Sequence, residues 1–239
     1  MNTPKPNILP SLFFYNFNVS TLSLSEFCFI RSKIKLLNPD ESFTTTTKAM
    51  RTGTKLHQIY STPYKSFNRM LVKNRLRRYS VRKHGMDIFS KDIKTKKYII
   101  RVNGAFDDLR IISVNNKKYT VLIEVYTVSK KRIWTHEIKM KVRQLQLYMW
   151  LLKDLLDKIG FPLWIRGYVE IYSQKTGTLI KAVPVYYDNN IEEWIKYIVE
   201  CYEGLRAVRI PDKKICTRCP SNIRKKCSWY IIRKRKKNK

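Results

Sequence analysis

The chain has 239 residues, enough for one large domain or a domain with an appendage, and its 44% hydrophobic content supports a real core and excludes wholesale disorder. Lysine and arginine total 49 against 18 aspartates and glutamates, a net charge of +31 that costs folding energy unless a polyanion offsets it. Nucleic acid is the expected polyanion, with strongly salt-dependent binding; a basic proteome tuned for solubility is the bland alternative.

No apolar run approaches the roughly 20 residues of a membrane span. The start, MNTPKPNILPSLFFYNFN, lacks a basic region followed by a continuous apolar stretch. The expectation is a cytoplasmic protein with no membrane association, in which structural disulfides are not the first reading of five cysteines.

Residues 1–20 read as irregular, with three prolines. Residues 23–37, SLSEFCFIRSKIKLL, read as a helix opened by a serine cap. TTTTK at 44–48 reads as a loop leading into a second helical stretch over about 48–80, broken by Pro63. Residues 97–113 are strand-like and residues 118–128 form a second strand, with Asn115-Asn116 as the hairpin turn between them. The clearest helix follows, capped by Thr135 and ended by Gly160 and Pro162. Its Ile138, Val142, Leu145, Met149, Leu152 and Leu156 recur at steps of three and four and make one buried stripe. Residues 163–187 predict two strands joined near Lys175-Thr176-Gly177. Residues 190–208 predict an amphipathic helix with Ile191, Trp194, Ile198, Cys201, Leu205 and Val208 inward. The order predicts one α/β unit around a mixed sheet.

Cys216, Cys219 and Cys227 lie within twelve residues, and the C-x-x-C step lets two sulfurs face one metal. A four-ligand site needs Cys28 or Cys201 as well. Cys201 falls on an apolar stripe and reads as a small core residue. Cys28, in SEFCFIRSK, is the better fourth ligand. Four thiolates suit zinc or an iron–sulfur cluster, and spacing does not choose between them. Reduced, unligated thiols are the remaining alternative. With a metal, the first helix and the last segment would be stapled together.

Acids are scarce, so those in apolar strands stand out. Asp107 and Asp108 are placed in a strand on opposite faces. Glu124 lies among Val121, Leu122, Ile123 and Val125, where a carboxylate is costly unless paired or metal-bound. Adjacent strands sit about 4.8 Å apart, so an Asp and a Glu on one face can share Mg²⁺ or Mn²⁺, which would activate water against a phosphodiester. Ion pairs with the abundant lysines are the competing reading. Glu137, Lys141, Gln144 and Tyr148 form a polar line along the long helix, set apart from its apolar stripe. Such a line is usually just solvated, but here it directly follows the Glu124 strand. RTGTKLHQIY offers Gly53 and His57 on a helical turn, where a lone histidine is more often structural than a ligand.

Taken in order, GTKLH, GAFD, IEV and QLQLY resemble the G-x-x-x-H, G-x-x-D, E-x-K and Q-x-x-x-Y motifs of RecB-type nucleases of the PD-(D/E)XK superfamily. One cysteine near the N-terminus and three near the C-terminus resemble its iron–sulfur branch, which includes CRISPR-associated RecB-like exonucleases and similar nucleases of archaeal viruses. The resemblance spans residues 28–227. It implies a PD-(D/E)XK core over 46–208, with an N-terminal helix in 1–45 carrying the first cluster cysteine and a cluster segment with a basic tail in 209–239, all one integrated domain. It implies a [4Fe–4S] cluster on Cys28, Cys216, Cys219 and Cys227. It implies divalent-metal ligation by His57, Asp107, Glu124 and the carbonyl of Val125, with Gln144 and Tyr148 orienting DNA or the catalytic groups. Its members cut single-stranded DNA, often from an end, some also internally; for a viral member the compartment would be the host cytoplasm. Two positions depart from the pattern. The Cys219–Cys227 spacing is a little longer than the family's, and Tyr126 stands where E-x-K has lysine. Lys141, one turn before Gln144 on the same helix face, is the expected substitute cation. A nuclease homologue that no longer cuts, retained as a DNA-binding or adaptor protein, is the opposing expectation.

Overall fold

The computed structural model describes residues 13–38, 67–83, 85–129, 135–207, 216, 219 and 221–227. Strand β1 (Phe13–Asn18) leads into helices α1 (Val19–Ser23) and α2 (Ser25–Leu37). Helix α3 (Phe67–Arg77) is followed by β2 (Val81–Lys83), β3 (Met86–Lys94), β4 (Tyr98–Gly104), β5 (Asp108–Val114) and β6 (Lys117–Val128). Then come α4 (Thr135–Lys158), β7 (Arg166–Ser173), β8 (Leu179–Tyr186), α5 (Ile191–Tyr202) and the short α6 (Ser221–Lys226).

Among the described residues the strands form two mixed sheets flanked by helices, in the orders β1-β4-β3-β2 and β5-β6-β7-β8. In each, one parallel pair (β1 with β4, β6 with β7) sits among antiparallel ones. The expected single sheet is thus divided. The division falls inside the run 97–113, read from its apolar pattern as one strand: β4 stops at Gly104, β5 starts at Asp108, and the two lie in different sheets. Two further elements escaped the pattern. β1 lies inside the stretch taken as irregular, because its partner β4 is far away in sequence and no local turn announces the pairing. β2 and β3 occupy 81–94, where lysines and aspartates alternate with too few apolar residues to be read as strands.

Where local chemistry is strong, element and expectation agree. Asn115 and Asn116 have φ of 49° and 62°, the left-handed pair a type I′ turn requires, and they close Val114 onto Lys117. Helix α4 ends as its glycine dictates. Gly160 has φ of 80°, its N–H donates to the Asp157 carbonyl at 3.1 Å, and Phe161 N–H donates to the Leu156 carbonyl at 3.0 Å. That is the paired bonding of a Schellman C-terminus.

Helix α4 is the centre of the molecule. Leu145, Leu147, Met149, Trp150, Leu151, Leu152 and Leu156 are all buried, so its middle is enclosed on every side. It packs on β6 and β7 and is covered by α1 and α2. One apolar core joins Phe17 and Ile100 of the first sheet, Leu122 and Val169 of the second, the middle of α4, and Ile195 and Val199 of α5.

Other boundaries moved. The first predicted helix is split: Ser23 closes α1, its hydroxyl donating to the Ser20 carbonyl rather than capping α2, and α2 is kinked at Cys28, whose φ/ψ of −159°/104° are extended. Helix α5 stops at Tyr202, so Leu205, predicted inward, is exposed, and Val208 lies outside the described residues. Residues 39–66, with most of the predicted 48–80 helix, and the tail from 228 also lie outside them. Among the described residues no helix is long and apolar enough to cross a membrane.

Candidate functional site

The second sheet and α4 build the site at one end of β6. Strand β5 begins at Asp108, opposite Ile123, so β6 runs on past it through Glu124, Val125 and Tyr126. The β6 flank beyond that point has no β5 residue to pair with. Asp107, just ahead of β5, supplies the missing acceptor: its Oδ2 accepts from Val125 N–H at 2.9 Å. The N–H and C=O of one strand residue face the same neighbour, so strand geometry turns the Val125 carbonyl to the same open flank.

The two neighbouring aspartates have separated roles. Asp107 faces β6, whereas Asp108 is buried and pairs with Arg69 and, at 3.5 Å, Lys73 of α3. Burial pushes the Asp108 carboxyl up against the pull of those cations. The expected opposition of the two side chains holds, with Asp107 placed just before the strand rather than within it. Ion pairing with basic residues, the competing reading for Glu124, holds for Asp108 here and, through Lys141, for Glu124 as well. Arg69 and Lys73 have no counterpart in the sequence reading, since only the fold brings α3 to β5.

Glu124 is 1% exposed, and Lys141 from α4 reaches it, Nζ to Oε1 at 2.5 Å. Lys141 also donates to Gln144 Oε1 at 3.2 Å, and Gln144 Nε2 donates to the Tyr148 hydroxyl at 3.2 Å. The polar line on α4 is therefore a connected chain leading to a strand carboxylate, not a solvated face. Burial disfavours the Lys141 charge, but Glu124 and then Asp107 more than restore it, and its pKa stands above that of a free lysine. Burial, with Glu124 beside it, raises Tyr148 well above an ordinary phenol and keeps it neutral.

Tyr126 lies on the Glu124 side of β6, two residues along. Its hydroxyl donates to Glu137 Oε2 at 2.6 Å, and the Lys141 ammonium stands 5.9 Å from its ring centroid. Burial and the Glu137 carboxylate raise its pKa far above neutrality. Gly104 explains itself here. A Cβ on it would lie 2.7 Å from Tyr148 Cε1 and 2.8 Å from Val19 Cγ2, so only glycine lets α1 and α4 close over the end of β4.

Asp107, Glu124, Val125, Lys141, Gln144 and Tyr148 are thus brought together; His57 lies outside the described residues. Among the described residues no group of three or more His, Cys, Asp or Glu side chains is arranged to hold a metal ion. In a separate apolar cluster, Ile34 of α2 packs on Ile223 of α6, with Ile30, Cys219 and Cys227 against them. Cys28, Cys216, Cys219 and Cys227 share this neighbourhood closely enough to feel one another's charge. Cys28 Sγ accepts from Arg31 N–H at 3.4 Å across the kink. Burial raises the Cys28 thiol and pushes Cys219 up to about 11. Cys201 is buried in the core, as its helical position predicts.

No protein-family model matches the chain, and no curated protein matches it. Among solved structures, the crystal structure of the archaeal protein SSO0001 is similar with a TM-score of 0.53 and 13% sequence identity, over 93% of this chain and 87% of that one. At that identity the likeness concerns the fold alone.

Proposed function

We propose that the chain is a divalent-metal-dependent deoxyribonuclease acting on single-stranded DNA or DNA ends, with Lys141 in place of the lysine its strand lacks. The observation that carries the reading is the 2.5 Å contact between Lys141 Nζ and Glu124 Oε1, made from a helix, beside a strand whose own position 126 is tyrosine. A helix-borne ammonium there supplies the fixed positive charge that offsets a phosphodiester transition state. Gln144 Oε1 accepts from its ammonium, and Gln144 in turn donates to the Tyr148 hydroxyl. Asp107 fixes the backbone at Val125 and shares with Glu124 the task of presenting hard oxygens.

The donor chemistry fits Mg²⁺ or Mn²⁺: the carboxylates of Asp107 and Glu124 and the Val125 carbonyl, with His57 as the fourth group the motif resemblance suggests. Bound there, such an ion would polarise a phosphoryl oxygen and lower the pKa of a bound water. At the thiol end, sulfur donors from α2 and the α6 region suit a [4Fe–4S] cluster, with zinc as the alternative. Burial keeps the Cys28 and Cys219 thiols protonated when free, so loading would release protons. The surplus of 31 positive charges favours a DNA partner.

The test is cleavage of end-labelled single-stranded DNA with Mn²⁺. Lys141→Ala is expected to lose about a hundredfold or more of the rate; cleavage undiminished in that variant ends the assignment of Lys141. A second reading, a DNA-binding protein that does not cut, is favoured by Tyr126 in the lysine slot. It predicts salt-dependent DNA binding by the natural chain with no cleavage in Mg²⁺ or Mn²⁺.

A further inference from the structure

Lys141 stands between the strand-side carboxylates, Glu124 and Asp107, and a carboxylate of its own helix, Glu137. Glu137 lies four residues before it on α4, the order and spacing that favour a direct Glu–Lys pair on a helix. The ammonium instead sits on Glu124 of β6, while Glu137 Oε2 accepts the Tyr126 hydroxyl at 2.6 Å. The Tyr126 ring bounds the space Lys141 crosses, 5.9 Å from Nζ. Glu137 and Lys141 are both half-buried, so a carboxylate deprived of the phenol would need another donor, and the ammonium one turn along its own helix is at hand.

We propose that Tyr126 is a positioning residue: by holding Glu137 it delivers Lys141 to Glu124. The residue in the lysine slot then has a use of its own. It occupies the competitor on the helix and leaves the cation to the strand-side carboxylates. The proposal concerns the same site as the nuclease reading and rests on Lys141 being its cation, but the placement of Lys141 can be read without any activity.

Tyr126→Phe keeps the ring and removes only the hydroxyl. In the full chain labelled with ¹³C,¹⁵N-lysine, the Lys141 side-chain resonances, identified by their absence in Lys141→Arg, are expected to shift in Tyr126→Phe. They are expected to return to the natural position in Tyr126→Phe/Glu137→Gln, where the competitor has lost its charge, and to stay there in Glu137→Gln alone. In parallel, the Mn²⁺-dependent cleavage rate is expected to fall about tenfold in Tyr126→Phe and recover in the double variant. Unmoved Lys141 resonances in Tyr126→Phe, or a shift that the double variant leaves in place, would overturn the proposal. Absence of cleavage in the natural chain would defeat the nuclease reading while the resonances still decide this one.

Discussion

The carboxylate site and the cysteine end are held together in opposite ways. At the first, Glu124, Lys141, Gln144 and Tyr148 hydrogen-bond in series on elements rooted in the main core, and Asp107 completes the backbone of β6. At the second, the apolar anchor is Ile34 against Ile223, with Ile30 and two cysteines around them. A pair of isoleucines is worth only a few kcal/mol of burial. The carboxylate site is preorganised by the protein's own hydrogen bonds, while the cysteine cluster is where the proposed iron–sulfur cluster or zinc would add its own bonds.

If the thiols hold the proposed cluster or zinc, the contrast is sharpest where that staple is removed. Cys219→Ser is expected to release α6 from α2, seen as rapid proteolytic loss of the C-terminal segment, with the core still folded by circular dichroism. The loss should be several kcal/mol locally, because metal-binding energy at such sites is folding energy. Colour and broad visible absorption of the purified protein distinguish iron–sulfur from zinc.

The next largest effect is at the carboxylate site. Lys141→Ala leaves Glu124 buried without its ammonium, a change that costs about 3–5 kcal/mol when a buried pair is broken. Mn²⁺ should restore part of it, so the melting temperature of Lys141→Ala should rise more on adding Mn²⁺ than that of the natural chain. Equal rises would mean the carboxylates do not share a cation site. Gly104→Ala should cost about 1–3 kcal/mol, since the new methyl meets the Tyr148 ring and Val19 together. Chemical denaturation measures this, and cleavage should fall with it as Tyr148 is displaced.

The smallest effect is on pH. Tyr172, half-buried and donating to Glu170 at 2.8 Å, has its pKa pushed up to about 12 by partial burial and then by that carboxylate. A phenol raised in the folded state contributes stability that is fully present below the unfolded value of about 10 and is lost as pH climbs through the folded value. Tyr126, Tyr148 and Tyr202 are raised in the same direction. The tyrosine part of the unfolding free energy should therefore decline above about pH 10, with phenolate absorbance appearing together with unfolding. Tyr172→Phe should blunt the decline.

How much of this was legible in the sequence depends on the range of the interaction that decides each feature. The Asn115-Asn116 turn, the stripe of α4 and its glycine stop are settled by neighbours in sequence, and they are where they were expected. The polar line from Glu137 to Tyr148 was legible for the same reason; Lys141 was expected there as a substitute cation, and its contact with Glu124 is the ion pair of the competing reading. The break between β4 and β5 was not, because the residues that send the chain from one sheet to the other, Ala105 to Asp107, sit inside an unbroken strand-like pattern. Nor was the partnership of Asp108 with Arg69, which joins residues 39 apart. Tyr126 could be seen to lack a lysine's charge; that its hydroxyl would bind Glu137 required the helix to be in place.

Carrying the ammonium on α4 rather than on β6 changes how such a centre tolerates insertion and deletion. On a strand, a slip of one residue reverses the side a group faces, so the cation is either correct or lost. On a helix, the same slip turns it by about 100° and advances it about 1.5 Å, and a slip of three or four residues nearly restores its bearing. Drift in the connection between β6 and α4 can therefore be absorbed by a lysine one turn up or down. A lineage built this way could move its charge stepwise while the carboxylates stayed fixed.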